Sequence, residues 1–242
     1  MDPVRGIIPP SEFIPTFEKY HLLYQMDLYI FEQVCVEVGR RYDAGLLMMP
    51  VSVNFARQDF DHADIASELD RIIDKYDLSR YGIDKSFFII EITEQDMATG
   101  RENIMEQLRR IRSSGFTLWL DDFGSGYSSI NVLFSRFDVD LVKFDLELLQ
   151  HLDDHNGVNR EILRSMVSLA RRLGIHTLAE GVETEEQRDF LKEIGCEFAQ
   201  GYLFYHPEPL DTILYRLSGG QRVKPFETKA ERDTYDNTWH TI

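Results

Sequence analysis

The sequence predicts an α/β domain built on a parallel sheet of the (βα) barrel type. Short apolar segments alternate along the chain with amphipathic helical segments, and this alternation is typical of a parallel sheet. Polar or charged residues stand at the carboxyl ends of six predicted strands. An open doubly wound sheet gathers its ligands at one switch point, whereas a barrel gathers them from many strand ends onto one face. The six contributing strands therefore favour a barrel over an open sheet.

The six predicted strands are short apolar runs bounded by glycine, proline or polar residues. They cover residues 46–53, 86–92, 116–120, 139–144, 175–179 and 197–199. A full barrel of this type has eight strands, and this chain opens in a proline-containing loop over residues 1–10. We therefore expect the first two strands to be missing on the N-terminal side. Two exposed sheet edges would then invite pairing with another chain.

Apolar residues at three- and four-residue spacing predict helices between these strands. The predicted helices start near Ser11 and after Thr184, and cover residues 23–41, 65–76, 104–111, 127–134, 162–173 and 210–217. Thr184 and Gln187 have the spacing of a capping box at a helix start. Residues 219–242 are polar and have little periodicity, so we divide the chain into a barrel over 1–218 and a C-terminal tail over 219–242.

The composition limits the partners of the domain. The formal net charge of −16 and the pI of about 4.8 argue against binding of nucleic acid polymers or anionic lipid through bulk charge. No apolar stretch reaches the roughly 18 residues of a membrane span, and the N-terminus is no signal peptide. We therefore expect a cytoplasmic protein. Cys35 and Cys196 are best interpreted as small buried thiols rather than as a disulfide.

Two adjacent carboxylates, Asp121 and Asp122, follow the predicted strand over residues 116–120. Adjacent side chains on an extended backbone point to different sides, so each carboxylate can serve a different partner. The glycines that follow let the backbone turn tightly. A strand end with two carboxylates suits a divalent metal ion, although a solvated acidic turn is the alternative from this stretch alone.

Other polar residues at strand ends are Asn54, Glu91, Lys143, Glu180 and Gln200. Taken singly, these residues have ordinary interpretations. Asn54 could be a turn residue, Lys143 could form a surface salt bridge, and each glutamate could cap a helix or be solvated. A repeated spacing gives them more weight, because Glu94 follows Glu91 and Glu183 follows Glu180 at the same distance. The first carboxylate of each pair can face the barrel mouth while the second holds the loop behind it.

The triplet Asp122-Phe123-Gly124 also occurs in protein kinases, where its aspartate binds metal. However, the chain has no glycine-rich loop followed by a strand lysine, and no His-Arg-Asp catalytic loop. The sequence therefore argues against a kinase.

Taken together, the motifs resemble those of the EAL domain, the bacterial cyclic di-GMP phosphodiesterase domain. The matching stretches are residues 11–15, 51–54, 91–94, 121–129, 143–145, 179–184 and 199–202. Their order and spacing agree over residues 6–209, which makes the resemblance highly specific. The family fold is a modified eight-stranded barrel, in agreement with the strand pattern.

The resemblance implies a role for each residue at the strand ends. Asn54, Glu91 and Asp121 would bind one Mg²⁺ or Mn²⁺ ion, and Asp121 with Asp122 would bind a second. Lys143 would hold the attacking water, and Glu180 would be the general base or a second-metal ligand. The supporting residues would be Glu94, Asp145, Glu183 and Gln200. In the family the loop over residues 123–129 couples metal binding to dimerisation, so a homodimer is implied.

One departure from the family concerns its name-giving Glu-Ala-Leu-x-Arg segment. That segment supplies a metal-binding glutamate and a phosphate-binding arginine, and it does not occur upstream of Gly6. We therefore expect an N-terminally truncated chain with no identified substrate-binding residue. The implied function is metal-dependent hydrolysis of cyclic di-GMP to the linear dinucleotide. A non-catalytic cyclic di-GMP-binding module and a dimerisation module are the alternatives.

Overall fold

The computed structural model describes residues 8–46, 48–95, 102–124, 139–150, 152, 157–208, 210, 212 and 215. Its strands form one parallel sheet: β1 (Val51–Asn54), β2 (Phe88–Thr93), β3 (Thr117–Phe123), β4 (Leu141–Phe144), β5 (His176–Ala179) and β6 (Phe198–Ala199). Each strand pairs in parallel with the next one along the chain. The strand order never reverses, so the sheet has no switch point of the doubly wound kind. The predicted fold class, a barrel-type sheet with six strands present, is confirmed.

The helices with described bounds lie before and between the strands. They are α1 (Pro10–Lys19), α2 (Leu23–Asp43), α3 (Arg57–His62), α4 (Ile65–Tyr76), α5 (Glu102–Ser113), α6 (Leu146–Gln150), α7 (Val158–Arg172) and α8 (Glu185–Ile194). Two 3₁₀ turns, Leu78–Tyr81 and Lys85–Phe87, precede β2. Helices α3 and α6 were not predicted, because segments of 6 and 5 residues are too short to show a helical repeat. None of the helices described has both the length and the apolar composition needed to cross a membrane.

The first strand is shorter than predicted. We expected a strand over residues 46–53, but β1 begins at Val51. The backbone N–H of Leu46 donates to the carbonyl of Arg41 at 2.9 Å, so this residue still belongs to the end of α2. Pro50 has no N–H group to donate to a sheet ladder. The prediction was therefore wrong for the N-terminal half of this apolar run.

The third strand is longer than predicted and contains a bulge. We expected it to end at Leu120, but β3 continues through both aspartates to Phe123. Leu120 pairs with Val142 and Phe123 pairs with Phe144, so three steps along β3 match two steps along β4. One extra residue is thus inserted at the Asp pair, and Asp122 has a left-handed backbone with φ of 53°.

The hydrophobic core lies between the outer face of the sheet and the helices. Alternate strand residues form the sheet side of this core: Ile90, Ile92, Leu118, Leu120, Val142 and Phe144. The helices contribute apolar faces that include Leu69, Ile72, Leu108, Ile111, Leu163 and Val167. Because side chains alternate along a strand, the intervening residues point to the inner face of the barrel. Glu91 and Lys143 belong to that inner set.

The capping box predicted at the start of α8 is confirmed. Thr184 Oγ1 accepts a hydrogen bond from the backbone N–H of Gln187 at 3.2 Å. Gln187 Oε1 accepts in return from the backbone N–H of Thr184 at 3.0 Å. These bonds fix where the helix begins and so limit the loop after β5 to residues 180–184.

Some predictions fall on residues outside the described part of the chain. The predicted helix over residues 127–134 lies there entirely, and only residues 210, 212 and 215 of the helix over 210–217 are described. The tail over residues 219–242 also lies outside. The division into a barrel and a tail therefore stays a prediction.

The loop after β6 depends on a close backbone approach. Gly201 has φ of +155°, and a Cβ atom there would lie 2.3 Å from the backbone N and O of Val182. Because backbone cannot move aside, we expect Gly201→Ala to lower the free energy of unfolding by roughly 3 kcal/mol. Gly174→Ala is the matched control, since Gly174 also has a positive φ but would meet nothing within 4 Å. Equal losses for the two variants in urea unfolding would contradict this account.

Candidate metal centre

The inner face of the barrel brings polar residues together at the carboxyl ends of its strands. Sheet register places Asn54 beside Glu91, and Thr93 beside Asp121. Lys143 lies next to the last residue of β4, and Glu180 follows β5 directly. These residues are distant in sequence, and the register of the parallel sheet makes them neighbours.

Lys143 is the centre of this cluster. Its Nζ lies 2.7 Å from Glu180 Oε1, 2.9 Å from Asp121 Oδ1 and 3.2 Å from Glu91 Oε2. The lysine is 6% exposed and Glu91 is 4% exposed, so much of this ion-pair network is shielded from solvent. One ammonium group faces three carboxylates, which leaves an excess of negative charge at the site.

The protonation of Lys143 and Glu180 follows from these contacts. Burial acts to lower the pKa of Lys143, but the hydrogen bond to Glu180 and the charges of Glu91 and Asp121 outweigh it, so its pKa is raised. Lys143 is therefore a permanent cation at neutral pH and cannot act as a base. Burial raises the pKa of Glu180, and the contact with Lys143 opposes that shift only in part.

The bulge in β3 makes the two aspartates converge. Carboxylate oxygens of Asp121, Asp122 and Glu180 all lie within 4.8 Å of one another. The expectation that the two aspartates point to different sides holds for a regular strand and is wrong at this bulge. The backbone N–H of Asp122 also donates to Asp121 Oδ1 at 2.9 Å, which orients that carboxylate.

Negative charge accumulates around Asp122. Burial, followed by the charges of Asp121 and Asp145, raises the pKa of Asp122, while Lys143 acts in the opposite direction. Converging carboxylate oxygens in such a site are the ligands preferred by hard divalent cations. The residues present therefore fit a divalent cation at Asp121, Asp122 and Glu180.

The remaining sequence-predicted residues surround this centre. Gln200 Nε2 donates to Glu180 Oε1 at 2.5 Å, and buried Glu94 accepts from the backbone N–H of Gly124 at 2.9 Å. Asp145 Oδ1 accepts from the backbone N–H of Glu147 at 2.6 Å and so caps α6. Asn54 lies at the end of β1 with an exposed side chain.

Sequence reasoning included Tyr202 in a matching stretch but did not predict that aromatic residues border the site. A cavity of about 520 Å³ is lined by Glu180, Glu183 and Gln200 together with Tyr202, Tyr205 and His206. Tyr202 and Tyr205 are each 60% exposed, and the rings of Tyr202 and His206 lie 4.3 Å apart. Residues of this kind in a loop carry no spacing signal, so only the fold shows that they border the carboxylate cluster.

The fold and site define an α/β barrel protein with a candidate divalent-metal centre at the carboxyl ends of its strands. The family model described as the EAL domain matches residues 1–207. The chain therefore belongs to the EAL domain family.

Two curated relatives illustrate the similarity. The chain is 30% identical over 212 residues to MucR of Pseudomonas aeruginosa, named a bifunctional diguanylate cyclase/cyclic di-GMP phosphodiesterase, with 88% of this chain and 30% of that protein covered. It is 32% identical over 219 residues to the cyclic di-GMP phosphodiesterase RocR of the same organism, with 90% and 53% covered. The chain thus spans about half or less of the length of these relatives.

Solved structures agree with the fold. The phosphodiesterase part of MucR in complex with cyclic di-GMP has a TM-score of 0.75 at 30% identity, covering 88% of this chain and 83% of that one. BlrP1 of Klebsiella pneumoniae in a manganese/cyclic di-GMP complex has a TM-score of 0.66 at 29% identity, covering 84% and 49%. The chain therefore has the fold of proteins that were solved with this dinucleotide.

Replacing Lys143 tests the charge balance of the site. We expect Lys143→Met to lower the free energy of unfolding in EDTA by roughly 3–5 kcal/mol, because three carboxylates would lose their shared cation. Added Mn²⁺ should raise the melting temperature of this variant more than that of the unaltered protein, since the divalent ion would replace the missing charge. Lys192→Met, at an exposed position of α8, is the matched control. Identical melting curves for the two variants would show that the network has no such role.

Proposed function

We propose that this domain hydrolyses cyclic di-GMP to the linear dinucleotide with the help of bound Mg²⁺ or Mn²⁺. The observation that carries the proposal is the convergence of Asp121, Asp122 and Glu180 beside the buried ammonium of Lys143. The similarity to proteins named cyclic di-GMP phosphodiesterases supports the choice of substrate.

In this proposal Asn54, Glu91, Asp121 and Asp122 hold the metal ions, with Asp121 shared between them. Bound divalent ions would lower the pKa of a water molecule and stabilise negative charge on the phosphate oxygens. Asn54 and Glu91 are adjacent in sheet register and can therefore act as one pair of ligands.

Lys143 and Glu180 would handle the attacking water. A permanently charged Lys143 would donate a hydrogen bond to that water in exchange for one of its three carboxylate contacts and so hold it in place, but it cannot remove the proton of the water. Glu180 would either accept the proton of that water, for which its raised pKa suits it, or bind the second metal ion beside Asp121 and Asp122. The hydrogen bond from Gln200 to Glu180 Oε1 would keep that oxygen in position.

The assembly and location of the domain are also proposals. Strands β1 and β6 have a partner on one side only within the described residues, which supports association through sheet edges into a homodimer. Cys35 and Cys196 are free thiols, which supports a reducing compartment such as the cytoplasm.

A second candidate function is a module that binds cyclic di-GMP without cutting it. It is favoured by one observation, the exposed rings of Tyr202 and Tyr205 that border the carboxylate cluster, because aromatic rings can stack on bases without any chemistry on the phosphates.

Product chromatography after incubation with cyclic di-GMP and Mn²⁺ tests the leading proposal. We expect linear dinucleotide, and a loss of at least about 100-fold in rate for Glu180→Gln, because the amide cannot accept the proton. Glu185→Gln, at an exposed position in the first turn of α8, is the matched control and should keep the full rate.

Calorimetry with cyclic di-GMP separates the two candidate functions. Binding heat without any product would favour the binding module over the enzyme. Neither heat nor product, from a chain whose melting curve shows it to be folded, would overturn both.

A further inference from the structure

Helix α6 follows β4, the strand that lies between the two strands whose ends form the carboxylate cluster of Asp121, Asp122 and Glu180. The helix has only 5 residues, so its own backbone hydrogen bonds are too few to keep it folded. Its conformation therefore depends on contacts with its surroundings. Two of its leucines, Leu146 and Leu148, make such contacts with the loops after β5 and β3.

Leu148 packs directly against the backbone that leaves β3. A Cβ atom at Gly124 would lie 2.5 Å from Leu148 Cδ1, so the leucine fills the space that a side chain at Gly124 would need. Gly124 stands two residues after Asp122. The backbone N–H of Asp145, the residue before α6, also donates to the carbonyl of Phe123 at 3.1 Å. Helix α6 is thus joined to the chain immediately after the two aspartates.

Leu146 packs in the same way against the backbone that leaves β5. A Cβ atom at Gly181 would lie 2.6 Å from the Cβ and 3.0 Å from the Cδ1 of Leu146. Gly181 follows Glu180 directly, and the backbone N–H of Glu180 donates to the carbonyl of Phe144 at 3.0 Å. Although Leu146 is 36% exposed and borders the cavity beside Glu180, its side chain therefore has a defined contact with the loop.

A polar contact attaches α6 to the start of α8 as well. Gln187 Nε2 donates to the carbonyl of Leu149 at 3.3 Å, while Gln187 Oε1 accepts from the backbone N–H of Thr184 at 3.0 Å. Leu149 itself is buried in the hydrophobic core. Because neither contact involves the other two leucine side chains, shortening one of those leaves the helix attached.

We propose that Leu146 and Leu148 are positioning residues that hold the loops after β3 and β5 at one separation, so that the carboxylate cluster is assembled before a metal ion binds. The metal-binding half of this inference rests on the proposed function, whereas the packing half rests on the contacts of α6. Like charges in the metal-free cluster repel one another. Lys143 opposes that repulsion from the inner face of the barrel, and the two leucines oppose it from the loops.

Calorimetric titration with Mn²⁺ tests the positioning role. We expect Leu146→Ala and Leu148→Ala each to bind Mn²⁺ about tenfold more weakly. Leu148→Met should stay within about twofold of the unaltered protein, since it nearly conserves the side-chain volume. Leu163→Ala, in the core on α7, is the matched control and should lower the melting temperature without changing the Mn²⁺ affinity. Unchanged affinity in both α6 variants would overturn the positioning role.

The double variant of Leu146 and Leu148 shows whether the two contacts act together. A fixed separation between two loops needs both contacts, so we expect the second alanine to weaken Mn²⁺ binding by less than about twofold beyond the first. Losses that multiply to about 100-fold would show that each leucine acts on its own loop alone, and would overturn the linked role.

Amide hydrogen exchange in EDTA tests the packing without any metal ion. We expect the Gly124 amide in Leu148→Ala, and the Glu180 amide in Leu146→Ala, to exchange about tenfold faster than in the unaltered protein. Leu163→Ala should change neither rate, because loop amides exchange by local opening. Unchanged rates in the α6 variants would overturn the packing role. Absence of Mn²⁺ binding by the unaltered protein would instead refute the proposed metal centre, and the exchange rates would still decide the packing.

Discussion

The contact between the ammonium of Lys143 and three carboxylates holds the polar strand ends of the sheet together as one site. Glu91, Asp121 and Glu180 come from three different strand ends, and each lies within 3.2 Å of the same nitrogen. Without that cation, the carboxylates would repel one another in a shielded site. Buried ion pairs of this kind give little net stability, because removing charges from water is costly. The arrangement is therefore better explained as a prepared binding geometry than as a device that stabilises the fold.

The bulge in β3 decides which carboxylates can act together. In a regular strand Asp122 would point away from Asp121, towards the helices. The extra residue and the left-handed backbone of Asp122 instead direct both side chains towards Glu180. The same irregularity ends at Gly124, whose N–H is held by Glu94. One local distortion thus sets both the carboxylate cluster and the exit of the chain from the sheet.

The sequence was sufficient for the features that depend on periodicity. Residue patterns predicted the alternation of strands and helices and the capping box at Thr184. They also predicted the strand-end positions of Glu91, Lys143 and Glu180. The bulge could not, because an inserted residue shows only when β3 is paired with β4. The short helices α3 and α6 and the late start of β1 were missed for a related reason: tertiary contacts, rather than propensity, fix segments of a few residues.

The excess of negative charge around Lys143 explains why a negatively charged substrate would need divalent ions at this site. A cyclic dinucleotide carries negative phosphates and approaches a chain with a formal net charge of −16. Lys143 already donates to carboxylates on three sides, so it has little capacity left to offset an incoming phosphate. Neutral Gln200 and Asn54 can orient groups but cannot supply positive charge. Divalent ions held by the aspartates would make the local electrostatic potential positive. They would do so at the carboxyl ends of β1 to β5, where the polar residues of the site lie.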